Sequence, residues 1–128
     1  MNYFMLSAAV VMGVTSAVHI FLGTHEIVAP VMQIDTLHPV IRNVTLVVWH
    51  MVTLFLILSA TAMFMLVRHA NLGLSVFLIA LHAGFAAIFL HVNITVFSAI
   101  FTLPQRTAFA LVAALMGKAL RQEKASTA

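Results

Sequence analysis

Apolar residues along this chain come in long runs, and the polar residues gather between them. A membrane-crossing helix needs about 20 mostly apolar residues. Four stretches meet or approach that length, and the pattern predicts helices over about 3–22, 43–67, 72–92 and 103–120. The turn Arg68-His69-Ala70-Asn71 links the second to the third, and its Asn suits a tight connection. Pro104 belongs at the start of the fourth helix, since proline breaks a helix interior. Residues 93–101, NITVFSAIF, then either extend the third helix or form an interfacial loop. The connection 23–42 holds Pro30 and Pro39 around mixed residues and reads as a short segment lying on the membrane surface. The first run has no Lys or Arg ahead of it and exceeds the 7–15 residues of a secretory h-region, so it reads as a retained helix.

Composition sets the solvent. The 128 residues are 63% hydrophobic and 7% charged, against roughly 25% charged in soluble domains. So few charges cannot clothe a globular surface, and lipid must cover most of this one. The class is all-α, an integral membrane four-helix bundle occupying residues 1–122 with a tail over 123–128. Arg68, Lys118, Arg121 and Lys124 fall on one side of that topology, and Arg42 and Arg106 on the other. The positive-inside rule then puts both termini in the cytoplasm and places the protein in a bacterial inner membrane. A net charge of +3 without clustered basic and aromatic residues excludes a nucleic-acid interface. The absence of cysteine excludes disulfides and thiolate ligands.

Candidate chemistry concentrates between His19 and His50. This stretch holds four of the seven histidines, the acids Glu26 and Asp35, two of the three prolines and the single tryptophan. Polar and ionisable groups are costly in hydrocarbon, so such a gathering marks a functional region. At 3.6 residues per turn, Ala8, Thr15, Ser16, His19, Gly23 and Glu26 share one face of the first helix. The small members suit helix packing, while His19 is a candidate ligand or proton carrier. Asn43, His50, Thr53 and Thr61 form a similar seam on the second helix, with Trp49 as an interfacial belt residue. A rise of about 1.5 Å per residue from mid-helix puts His19 and His50 each about 9 Å outside the midplane, and His91 about 13 Å outside it. His82 and His91 are nine residues apart and so lie on opposite faces. His91 shares its face with Gly84, Ala87, Thr95 and Ser98, which favours His91 over His82 as the residue turned toward the site. His82, near mid-membrane, needs a partner that the sequence does not name. His38 and Arg42 form an edge cluster able to pair with Glu26 or Asp35.

The resulting ligand set is His19, His50 and His91, with His25 and Glu26 completing it. Imidazoles on facing helices suit a transition metal or haem b, which makes a redox module one reading. The same groups near the outer interface suit a quinone or another small molecule. The third reading is a structural or partner-binding subunit. Ala110/Ala114 and Ala113/Gly117 on the fourth helix make small-xxx-small pairs, which suit a homo-oligomer or a larger membrane complex. No HExxH, GxSxG, P-loop or GxGxxG is present, and no Glu-x-x-His pair of the di-iron kind.

Overall fold

The structure, a computed structural model, describes residues 2–100 and 102–127. Phe101 and Ala128, which end the 93–101 segment and the tail, lie outside the described residues. Four long helices account for nearly all of it: α1 (Tyr3–Met32), α2 (Pro39–Arg68), α3 (Leu72–Thr95) and α4 (Gln105–Thr127). Strands are absent among the described residues. The first three helices are long and apolar enough to cross a membrane. The fourth falls outside that group, with Gln105 and Arg106 in its first turn and Lys118, Arg121, Glu123 and Lys124 toward its end.

The helix ends follow from their residues. Asn2 caps α1 by accepting from the Met5 N–H, and Asn71 caps α3 by accepting from the Leu74 N–H. Pro39 is the first residue of α2, where its missing N–H costs nothing, and His38 caps that end through Nδ1 to the Val40 N–H.

Helix α1 is the centre of the packing and touches both α2 and α4, while α3 packs on α4. Its inward residues Met5, Ala8, Ala9 and Met12 are buried, and the two alanines let its neighbours come close. Leu56, Ala60, Met63 and Leu66 of α2, Leu78 of α3, and Phe109, Val112, Met116 and Ala119 of α4 complete this core. Helices α2 and α3 are consecutive yet hardly touch. A lateral apolar groove of about 290 Å³ lies between them, lined by residues including Phe55, Leu58, Ser59, Leu78 and Leu81. Asn2 Nδ2 donates to the Ala119 carbonyl (3.1 Å) and to Glu123 Oε1 (3.0 Å), which ties the start of α1 to the end of α4.

Three boundaries differ from the sequence expectation. Helix α1 runs ten residues past Leu22, so the surface segment expected over 23–42 shrinks to the turn at 33–38. The helix passes Pro30 because that residue opens a final short α-helical turn, Ala29–Met32. Helix α4 continues through residues 121–127 where a frayed tail was expected. The 93–101 stretch divides: α3 takes it as far as Thr95, and a turn containing Ser98 at φ 49° follows.

Candidate functional site

From His19 to Val28, α1 widens into π-helical turns. The Ala29 N–H reaches back five residues to the Thr24 carbonyl. Such turns are rare and recur at functional sites. They carry Gly23 and Thr24 past Trp49 of α2. The Trp49 indole stacks on the His19 ring, with centroids 3.9 Å apart and planes 15° apart. Its Nε1–H donates to Thr24 Oγ1 at 3.2 Å. His19 Nε2 lies 3.4 Å from the Trp49 carbonyl, which can only accept, so this nitrogen carries the proton in the bonded tautomer. Gly23 completes the seat. A Cβ there would stand 2.8 Å from Trp49 Cη2 and 2.9 Å from Cζ2, so only glycine lets the backbone pass this ring.

Trp49 was expected to serve as an interfacial belt residue; in the structure the C-terminal half of α1 packs around it. His19 and His50 were expected to face each other. Consecutive helix residues point about 100° apart, and Trp49 takes the position facing α1. His50 is left exposed on the far side of α2 from the core residues Leu56, Ser59 and Met63. His25 and Glu26 are exposed on the π-helical segment. The wider turn advances fewer degrees per residue, so the seven-residue spacing from His19 to Glu26 no longer returns to one face. Arg42 pairs with neither acid but donates through Nη2 to the Ile34 carbonyl.

On α3 the expected order reverses. His82 is the inward histidine, fully buried, and His91 is exposed. His82 Nδ1 lies 2.7 Å from the Leu78 carbonyl, which supplies the partner the sequence left unnamed. The rings of Phe55 and Phe109 flank it, with centroids 6.0 and 5.9 Å away. Its Nε2 is buried with no partner among the described residues. Among the described residues no three His, Asp or Glu side chains are grouped to hold a metal ion.

Sequence reasoning missed the roles of two residues. Gly23 was read as one small packing residue among several on its face, and only the ring opposite it explains it. Asn93 is fully buried and clamps Leu103 through two hydrogen bonds.

The Trp49 seat makes a direct prediction. Gly23→Ala should displace the indole, breaking its bond to Thr24 and its stack on His19. Tryptophan emission comes from Trp49 alone in this chain. A shifted emission maximum and easier acrylamide quenching are expected, and spectra that match the wild type would mean the ring has room to spare. No family model, curated protein or solved structure matches the chain.

Proposed function

We propose that the protein is a membrane-embedded structural subunit that works by binding a partner within the bilayer. In this reading all four helices cross a bacterial inner membrane as a four-helix bundle with both termini in the cytoplasm. Helical rather than barrel-forming spans favour the inner membrane. The tie between Asn2 and the end of α4 supports an even number of crossings. Lys118, Arg121 and Lys124 at that end, with Arg68 on the 68–71 turn, support the cytoplasmic side.

The observation that carries the proposal is the placement of His50 and His91. Both lie within membrane-length helices, and both are exposed. Polar side chains in membrane spans almost always face a protein interior or a water-filled cavity. Exposure of His50 in the isolated chain therefore marks a surface that another protein covers. The outer-half groups His19, His25, Glu26 and His50 then belong to the rim of that interface. Native membranes solubilised in a mild detergent should yield a particle heavier than the 13.9 kDa chain, as measured by light scattering with the detergent mass subtracted. A strictly monomeric species at every protein-to-detergent ratio would sink the proposal.

The topology is tested separately. The chain has no cysteine, so single introduced thiols report without background. Thr36→Cys should react with an impermeant maleimide from outside the cell. Ala70→Cys should react only after the cytoplasmic face is opened. The reverse pattern would invert the orientation.

A further inference from the structure

His82 sits near the middle of α3, fully buried, and its Nε2 has no partner among the described residues. The Leu78 carbonyl, 2.7 Å from Nδ1, can only accept, so Nδ1 carries the proton and Nε2 a bare lone pair. What Nε2 lacks is therefore a donor. The phenyl rings of Phe55 and Phe109 flank the imidazole and have none to offer. An acceptor left in this state costs about 1–3 kcal/mol.

The lateral groove between α2 and α3 begins one side chain away. Phe55 and Leu78 both line it, and both meet His82, Phe55 through its ring and Leu78 through its carbonyl. Leu81, the residue before His82, lines it too. Its volume of about 290 Å³ is close to the lower end of the ~300–1,000 Å³ typical of small-molecule sites. Among the lining residues only Ser59 is polar. Leu58 and Phe77 on its border are exposed, so the groove opens on the flank of the bundle, where α2 and α3 hardly touch.

We propose that this groove holds a lipid-soluble phenol, a hydroxylated aromatic ring on a hydrocarbon chain, whose hydroxyl donates to His82 Nε2. Three features select that chemistry. The apolar wall suits a hydrocarbon chain arriving sideways from the bilayer. The rings of Phe55, Phe85 and Phe109 suit an aromatic body, through edge and offset contacts. The unpaired lone pair demands a donor, and a lipid acyl chain carries none. A partner helix is about 10 Å across, too wide to enter the groove and bring a hydroxyl to an atom behind Phe55. Phe55, half-buried at the border of the groove, turns aside as the ring enters.

Two probes test the assignment: para-dodecylphenol and its methyl ether, which keeps the ring, the chain and the oxygen but loses the donor. Binding is measured to the full chain in lipid nanodiscs, for wild type and His82→Leu. Comparing both probes across both proteins cancels their unequal partition into lipid. The phenol should lose about three- to tenfold in affinity on His82→Leu, the worth of one hydrogen bond, and the ether should not. Leu58→Trp, at an exposed position lining the groove, should weaken both probes. A readout that needs no variant is the nitrogen-15 resonance of His82 Nε2, which should move with the phenol and stay with the ether. Equal behaviour of phenol and ether in both readouts would overturn the hydrogen bond and leave a hydrocarbon chain as the occupant. Binding unchanged by Leu58→Trp would overturn the groove. No saturable binding of either probe would overturn the site as a whole.

Discussion

Asn93→Leu is expected to lower stability by about 2–5 kcal/mol, the combined cost of leaving two backbone groups without partners. Asn93 is fully buried near the end of α3. Its Nδ2 donates to the Leu103 carbonyl at 3.0 Å, and its Oδ1 accepts from the Leu103 N–H at 2.8 Å. One amide side chain thus supplies the pairing that a neighbouring strand would give. The Asn93 carbonyl also accepts from the Ala99 N–H at 3.1 Å, so one residue anchors the turn at both ends. Leucine has a similar size and keeps the packing but can do none of this. Asn93→Asp tests the donor alone. It retains the acceptor for the Leu103 N–H but sets a second oxygen against the Leu103 carbonyl, so it should be at least as damaging as leucine at neutral pH. Unfolding in detergent, with proteolysis of the 96–104 turn as a second readout, measures both variants. A leucine variant within about 0.5 kcal/mol of wild type would mean that water replaces the side chain.

The helical membrane class was legible because hydrocarbon demands length and composition, and both are properties of the linear chain. The shared level of His19 and the Trp49–His50 turn was legible too, since a constant rise per residue converts position into distance along the helix. Rotation was not. In a soluble helix the apolar stripe reveals which face turns inward. Lipid is as apolar as a leucine core, so that signal disappears. His91 was expected to turn inward because its companions Gly84, Ala87, Thr95 and Ser98 are small or polar, yet Gly84, Ala87 and Thr95 are exposed beside it. The buried rows of α1 and α4 instead mix methionine, alanine, valine and phenylalanine, chosen by fit to one another. Ala110 and Ala114 of α4 are exposed, so the bundle itself does not use that pair, while Phe109, Val112 and Met116 turn inward. The same blindness to rotation paired His19 with His50. Their depths agree, but Trp49 sits at that depth as well and takes the inward direction. The π-helical turns that seat it hold Gly23 against the indole, a contact between residues 26 positions apart.

His82 separates a packing role from a chemical one by two substitutions with opposite expected signs. The Leu78 carbonyl can only accept, so His82 Nδ1 holds the proton and Nε2 presents a bare lone pair. That lone pair is buried without a partner among the described residues, beside the rings of Phe55 and Phe109. An unpaired buried acceptor costs about 1–3 kcal/mol. His82→Leu removes it and keeps most of the volume. It gives up the bond to Leu78, whose carbonyl still serves the helix ladder. If His82 only fills the core, the leucine variant should match or exceed wild-type stability, by up to about 2 kcal/mol. His82→Ala should lose about 2–4 kcal/mol, because the space between the two phenyl rings stays empty. Unfolding midpoints for the pair decide the matter. A leucine variant more than about 1 kcal/mol less stable than wild type would mean that Nε2 is satisfied in the membrane by a group the chain does not itself provide, since buried polar atoms persist where something pairs with them. The imidazole would then be a site rather than a core residue, and its depth near mid-membrane would make a bound water or a small ligand the group to look for.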